Sequence, residues 1–185
     1  MIEEFDITNG FWVFGYGSLI WQPDFPYTKQ KIARLSGYRR SFCMWSIHHR
    51  GTPEHPGLVL ALDPAPNGYC DGIAFRVTAQ DAEGTLAALR ARELISSAYV
   101  ETLVEVTAPD GTRHPALAYV IDTNHVQYCS LTLEEQAQVI ARSIGGRGPN
   151  TEYLWNTAQH LHKIGLGDAD LNWLSARVKE ITNAQ

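Results

Sequence analysis

The chain has 185 residues, of which 44% are hydrophobic, and it carries a formal net charge of -5 with its histidines neutral. A chain of this length suits one domain, here residues 1–185, and buries enough surface to fold without disulfides or structural metals. The longest basic cluster is Arg39-Arg40, so nucleic acid and anionic membranes, which need a basic protein surface, are not expected as partners.

Strand-like patterns dominate the first two-thirds of the chain. The apolar run 12–14 ends in Gly15-Tyr16-Gly17, which predicts a strand that leads into a tight turn. Further strands are predicted over 38–46, 57–62, 69–77, 100–108 and 114–121. The turn-rich segment 63–68 is expected to separate two of these strands, and Asp110-Gly111 predicts a hairpin between the last two.

Four helices are predicted. The first is indicated by Thr78 and Asp81, which resemble a capping box, and Glu93 lies near its exit. In the last third, Thr132 and Glu135 form a second capping box. The other expected boundaries are a stop at Gly145-Gly146, a helix from Pro149-Asn150 to about Lys163 with Gly165 after it, and a helix from Asp168 to about Thr182. Strands followed by helices predict an α+β domain, with a curved sheet or small open barrel flanked by helices.

The first candidate site is the segment 15–20 after the first strand. A strand that ends in Gly-x-Gly-Ser leaves backbone N–H groups without ladder partners, and glycine lets a ligand approach the main chain closely. Such a loop can hold a carboxylate or an oxyanion, but an ordinary turn gives the same pattern, so both interpretations stay open. Tyr16 and Ile20 occupy the positions that a G-x-S-x-G motif needs as glycine, and no Gly-Lys-Ser/Thr of a P-loop follows.

A carboxylate and a phenol are further candidates. Glu93 lies where the first helix ends, and partial burial there would suit acid/base chemistry. The alternative is a surface carboxylate paired with Arg90 or Arg92. Tyr153 lies in the first turn of a helix, where N–H groups could meet an anion, and the alternative for it and for Tyr99 is a core-facing aromatic ring.

Metal and thiol chemistry find no support in the spacing of possible ligands. The seven histidines match no zinc signature, so no metal is predicted. Cys43, Cys70 and Cys129 are an odd number without CxxC spacing, which predicts reduced, buried thiols. The N-terminus is acidic where a signal peptide is basic, and the apolar run 11–21 is too short to span a bilayer, so a cytoplasmic protein outside the membrane is expected.

Together, these residues resemble a known family. The segment WVFGYGSLIW, residues 12–21, resembles the opening signature of the ChaC family of glutathione-specific γ-glutamylcyclotransferases. Other segments that resemble the family follow in the same order to about residue 160: 23–25, 37–40, 49–53, Pro56-Gly57, Arg92-Glu93, Tyr99, 116–120 and 150–154.

The resemblance implies a γ-glutamylcyclotransferase-like fold, a small mixed β-barrel flanked by helices with a helical C-terminal third. It implies that Glu93 is the general base and acid and that Tyr153 helps to hold the glutamyl end. It assigns binding of the γ-glutamyl moiety to Gly15, Tyr16, Gly17, Ser18, Leu19 and Ile20. One departure is Ser97-Ala98-Tyr99, where the better-known eukaryotic members have Gly-Gly-Tyr, and it concerns the loop beside Glu93 and the strictness for glutathione.

The resemblance also implies a reaction without a cofactor, in which the γ-glutamyl group of glutathione cyclises to 5-oxoproline and the dipeptide Cys-Gly is released. The alternatives are a cyclotransferase for other γ-glutamyl dipeptides or amines and a non-catalytic sensor of γ-glutamyl compounds. A direct role in cation transport finds no support in a membrane segment or a basic amphipathic helix. The sequence leaves the oligomeric state, monomer or dimer, open.

Overall fold

The structure is a computed structural model and describes residues 6–184. Its strands are β1 (Phe11–Gly15), β2 (Lys29–Ser46), β3 (Gly57–Val77), β4 (Tyr99–Thr107), β5 (Arg113–Ile121), β6 (Ile144–Gly145) and β7 (Gly148–Pro149). Its helices are α1 (Ala82–Glu93), α2 (Leu133–Ile140), α3 (Asn150–Lys163) and α4 (Ala169–Asn183), and a 3₁₀ turn covers Ser18–Ile20.

The chain divides into two compact units. Within the described residues, the first unit contains the chain up to Ser41 together with Ala61–His125, and the second contains Phe42–Leu60 and the chain from Val126 onwards. Compact units of this kind do not show whether a chain folds as one domain. The single domain expected over residues 1–185 therefore stays a prediction.

The first unit is built on a closed barrel with the strand order β1-β3-β2-β4-β5. Strand β1 runs antiparallel to β3 and parallel to β5, where Trp12 lies opposite Ala116, and this parallel contact makes the barrel mixed. The small mixed barrel implied by the resemblance is therefore confirmed. The open barrel or curved sheet expected from the pattern alone is corrected to a closed barrel, because β1 pairs along both of its edges.

The barrel interior is filled by side chains that alternate along the strands, as the period of two in a β-strand requires. Phe14 and Leu62 are almost completely buried there, as is Val106, and Trp12 packs against this cluster from a partly buried position. Full burial of one such apolar side chain contributes roughly 1.5–3 kcal/mol. The core therefore holds the end of β1, from which the candidate loop departs, in a fixed place.

The predicted break between strands at 63–68 is wrong, since β3 runs through it without interruption. Proline disfavours the helical region for the residue before it, so Asp63-Pro64 and Ala65-Pro66 are compatible with extended backbone. The buried Asp63 carboxylate also accepts hydrogen bonds of 3.0 and 2.7 Å from the guanidinium of Arg39. Residues 63–68 therefore have a composition that is typical of a turn but form part of a continuous strand.

The predicted hairpin and the predicted first helix of this unit are confirmed, whereas the capping box predicted at Thr78 and Asp81 is wrong, because Asp81 is the N-cap and no side chain caps the helix. The hairpin of β4 and β5 turns at Asp110-Gly111, where Gly111 has a φ of 83° in the left-handed region that glycine favours. Helix α1 begins at Ala82, one residue after the predicted motif. The Asp81 N–H donates to the Thr78 hydroxyl over 3.3 Å in the turn before the helix.

The second unit contains α2, α3 and α4. The predicted capping box at Thr132 and Glu135 is confirmed in both directions, and the Asp168 carboxylate accepts from the Leu171 N–H over 3.0 Å at the start of α4. The predicted stop of α2 at Gly145-Gly146 is wrong, because the helix ends at Ile140 and Gly145 belongs to the short hairpin of β6 and β7.

Asn150 at the first position of α3 links that helix to the start of β3. Its side-chain amide accepts from the Leu58 N–H over 2.6 Å and donates to the Leu58 carbonyl over 2.8 Å, and the residue is fully buried.

None of the helices among residues 6–184 is long and apolar enough to cross a membrane.

Candidate active site

The loop after β1 is a short 3₁₀ turn. The Ile20 N–H donates to the Gly17 carbonyl over 3.0 Å, and the Gln22 N–H donates to the Ser18 carbonyl over 2.9 Å. The first N–H groups of any helical turn lack an acceptor inside the turn. Among residues 6–184, no hydrogen bond takes up the N–H groups of Ser18 and Leu19. The turn is therefore able to donate to an anionic group of a ligand.

Arg40 fixes the orientation of this turn. Its Nε donates to the Tyr16 carbonyl over 2.6 Å, and its Nη2 donates to the Asp71 carbonyl. In a trans peptide the C=O and the N–H point to opposite sides, so a Tyr16 carbonyl held toward Arg40 turns the Gly17 N–H away from it. The Tyr16 phenol points elsewhere and donates to the Tyr119 carbonyl over 2.8 Å, so its side chain anchors the turn to β5.

The end of β1 also meets the main chain of β3 very closely at Gly72. A Cβ at Gly72 would overlap the Gly15 carbonyl oxygen and would lie 2.8 Å from the ring of Phe14. Glycine is therefore required there for the two backbones to approach each other. The sequence reasoning missed this residue, because an isolated glycine in a strand pattern has no distinctive spacing.

Glu93 is the last residue of α1, and the structure brings it close to the loop. Its carboxylate is 16% exposed and lies 3.1 Å from Nε of Arg92. Nη2 of the same guanidinium donates to the Ser18 hydroxyl over 2.9 Å. The ion pair with Arg92 matches one alternative considered for Glu93, but the largely buried carboxylate differs from the solvated one that this alternative assumed. One planar guanidinium thus joins Glu93 to the turn.

A buried polar cluster lies near Glu93. The side chain of Glu101 is 0% exposed and pairs with Arg90 through two hydrogen bonds of 2.8 and 2.7 Å. The Tyr119 hydroxyl donates to the Glu101 carboxylate over 3.3 Å. Hydrogen bonding to Glu101 raises the pKa of Arg90 above its already high value.

Tyr119 remains a protonated hydrogen-bond donor. Burial raises the pKa of its phenol far above the usual range, and the negative charges of Glu101 and Glu93 raise it further. Sequence reasoning missed Tyr119 and Glu101 as members of this cluster. Their positions on adjacent strands of the predicted hairpin, in register as Glu101 and Tyr119, are the signal that could have found them.

Tyr153 belongs to the second unit. Its ring makes an edge contact with Phe42 at 5.9 Å between centroids, and the guanidinium of Arg50 lies 5.4 Å from the ring centre. The residue is buried, which agrees with the core-facing alternative. Its role at the glutamyl end stays a prediction.

The remaining expectations concern metals and thiols. In the described part of the chain, no group of three or more His, Cys, Asp or Glu residues could hold a metal ion. The three cysteines are buried, as the sequence predicts, and none of them forms a disulfide among residues 6–184.

Comparison with known proteins decides the family. The family model described as ChaC-like protein matches residues 11–181. The chain belongs to the ChaC-like family. A glutathione-specific gamma-glutamylcyclotransferase of Escherichia coli (strain K12) is 36% identical over 92% of this chain and 73% of its own length. Glutathione-specific gamma-glutamylcyclotransferase 1 of Danio rerio is 36% identical over 88% of this chain and 84% of its own length.

The fold of this ChaC-like chain is shared with a solved enzyme structure. The crystal structure of a yeast γ-glutamyl cyclotransferase specific to glutathione superposes with a TM-score of 0.87 at 25% identity, and covers 96% of this chain and 99% of the yeast chain. The predicted family and fold class are therefore confirmed.

The loop beside Glu93 carries the departure noted in the sequence. Ser97 has a φ of 56°, in the left-handed region where a side chain is strained and glycine is favoured. A left-handed backbone is therefore held at this position by a serine. Ala98 is fully buried, and its carbonyl accepts from the Asp122 N–H over 2.9 Å.

Proposed function

We propose that this ChaC-like protein is a glutathione-specific γ-glutamylcyclotransferase with Glu93 as its general base and acid. The chain is similar over most of its length to relatives that bear this name, in bacteria and in animals. The observation that carries the proposal is the single guanidinium of Arg92, which binds both the Glu93 carboxylate and the Ser18 hydroxyl of the loop.

The reaction needs a bent substrate. In the γ-glutamyl group, the α-amine can reach its own γ-carbonyl and close a five-membered ring. The N–H groups of the turn at Ser18 and Leu19 are suited to hold the α-carboxylate or to stabilise the oxyanion of the tetrahedral intermediate. Holding the amine next to the carbonyl can supply about 7–11 kcal/mol in favourable cases.

Glu93 then handles the proton. The α-amine attacks the γ-carbon in its neutral form, the Glu93 carboxylate accepts one proton from that nitrogen as the bond forms, and the C–N bond to cysteine breaks as the intermediate collapses. Glu93 returns the proton to the departing nitrogen, so 5-oxoproline and Cys-Gly form without water as a reactant. Acid/base help of this kind typically gives about 10²–10⁴-fold in rate.

The test is incubation of the purified protein with reduced glutathione, followed by chromatographic detection of 5-oxoproline. The proposal expects 5-oxoproline and Cys-Gly in equal amounts, and the same rate in the presence of a chelator. Release from γ-glutamyl-alanine at a similar rate would favour a broader γ-glutamyl specificity. Thermal stabilisation by glutathione without any 5-oxoproline would contradict the enzyme and favour a γ-glutamyl sensor.

The proposal extends to the setting of the protein. Residues 1–185 act as one ChaC-like domain in the cytosol, with glutathione as the small-molecule partner and without a metal or other cofactor. The family match supports one domain, since residues 11–181 run through both units. Cell fractionation that placed the protein in a membrane or secreted fraction would contradict the cytosolic assignment.

A further inference from the structure

Arg92 has an unusual number of contacts for a partly exposed arginine. Its side chain is 21% exposed, and Nη1 donates to the Gln22 carbonyl over 2.8 Å and to the Asp24 carboxylate over 3.2 Å. Nη2 donates to the Ser18 hydroxyl over 2.9 Å, and Nε lies 3.1 Å from the Glu93 carboxylate. All three nitrogens of the guanidinium are therefore engaged, three of the four contacts being with residues in and just after the turn.

The shape of the group gives these contacts a geometric consequence. A guanidinium is planar and presents its N–H groups in fixed directions, whereas an ammonium is a point charge whose donors rotate. The positions of Ser18 and Glu93 are therefore tied to one rigid plane. Asp24, which binds the same plane, has a φ of 57° in the left-handed region, so the segment after the turn holds a strained backbone at this contact.

Arg90 shows what a purely structural arginine looks like on the same helix. Its fork is directed at one buried carboxylate, Glu101, on β4. Arg92 instead distributes its donors between the candidate base and the candidate substrate loop. This difference points to a role in setting the distance between the two.

We propose that Arg92 is a positioning residue that holds the Glu93 carboxylate and the turn at Ser18 in register for proton transfer. This inference rests on the proposed function. Arg92 itself neither receives the proton nor contacts the substrate. A displacement of about 1 Å between base and substrate can cost about 100-fold in rate, so the rigid link matters for turnover more than for substrate affinity.

The principal test is Arg92→Lys, which keeps the positive charge and removes the planar fork. The expected result is a fall in kcat for 5-oxoproline release of about 100-fold, with KM changed by much less. The matched control is Arg177→Lys, which makes the same chemical change at an exposed pair with Glu134 in the second unit and should leave kcat unchanged.

A double-mutant cycle tests the link to the turn. If Arg92 acts by holding Ser18, then Ser18→Ala should lower kcat clearly in the wild-type background and much less in the Arg92→Lys background. Effects that simply multiply, or a kcat near the wild-type value for Arg92→Lys, would overturn the inference while the proposed function stands. If the wild-type protein releases no 5-oxoproline, the proposed function itself fails.

A second variant covers the case in which Arg92→Lys does not fold. Asp24 is 58% exposed and binds Nη1 of Arg92, whereas the Glu93 carboxylate lies next to Nε. Asp24→Ala removes this anchor, and we expect it to lower kcat severalfold with little change in KM. An unchanged kcat in a folded Asp24→Ala protein would also count against the positioning role.

Discussion

Two arginines near the end of α1 each pair with a glutamate, and the two pairs differ in how deeply the carboxylate is buried. Glu101 is completely enclosed, held by Arg90 through two hydrogen bonds, and also accepts from Tyr119. Glu93 keeps partial exposure and shares Arg92 with the turn. The enclosed pair has the features of a structural element, because its carboxylate is fully buried and accepts three internal hydrogen bonds. The partly open pair leaves the Glu93 side chain 16% exposed, so it is the pair at which substrate access is expected.

The largest effect that this comparison predicts is on turnover, at the open pair. Glu93→Gln keeps the shape of the side chain and removes the base, so kcat should fall by about 10²–10⁴-fold, while the melting temperature stays close to that of the wild type. The assay is 5-oxoproline release from glutathione. Glu83→Gln, in the first turn of the same helix and exposed, is the control and should remain active. Near-normal turnover of Glu93→Gln would refute its role.

The next largest effect concerns stability, at the enclosed pair. Arg90→Met removes the partner of a buried carboxylate, and breaking a buried pair is strongly destabilising because it leaves an uncompensated charge. Because the Arg90 side chain is 31% exposed, we expect a loss near the lower end for such pairs, about 3 kcal/mol in the free energy of unfolding measured in urea. A loss below that of an exposed pair would show that Glu101 is not enclosed in solution.

Tyr119→Phe sharpens the same comparison with a smaller change. It removes one donor to Glu101 and leaves the Arg90 pair in place, so we expect a loss of about 1 kcal/mol in the free energy of unfolding. Because the Tyr119 phenol stays protonated, the effect of Tyr119→Phe on the free energy of unfolding should be the same at pH 6 and at pH 9. A phenol that titrated in this range, followed by ultraviolet absorbance, would contradict the burial described for it.

The smallest effect is expected in the loop between the two pairs. Ser97 holds a left-handed backbone, so Ser97→Gly relieves strain but adds conformational freedom to the unfolded chain. The balance should be a gain of about 0.5 kcal/mol, visible as a slightly higher melting temperature. Ser96→Gly, next to it, is the control and should not stabilise. A loss of stability in Ser97→Gly would mean that the serine side chain contributes more than its strain.

Local chemistry made part of the fold predictable. Thr132 and Glu135 predict the start of α2, and Gly111 predicts the hairpin of β4 and β5, because helix capping and left-handed turns depend on a few neighbouring residues. The continuous β3 was not predictable in the same way. Its Pro-rich middle has the composition of a turn, and only pairing with other strands decides the outcome.

The candidate site was predictable only in its centre. Glu93 and the turn near Ser18 lie in segments that resemble a family pattern, and the structure brings them together through Arg92. The supporting residue Arg40 could not be chosen in advance. Its partner, the Tyr16 carbonyl, is 24 residues away in sequence, and no local pattern encodes a hydrogen bond at that range.

The close approach at Gly72 has a consequence for any survey of variants. Each replacement there adds atoms where the Gly15 carbonyl lies, so β1 must shift and the turn after it must follow. In a saturation library selected for activity, position 72 should therefore tolerate glycine alone, although it needs no contact with a substrate. Intolerance to substitution at this position would reflect the close approach of two strands. Substitutions there are also a way to shift the loop after β1 by design.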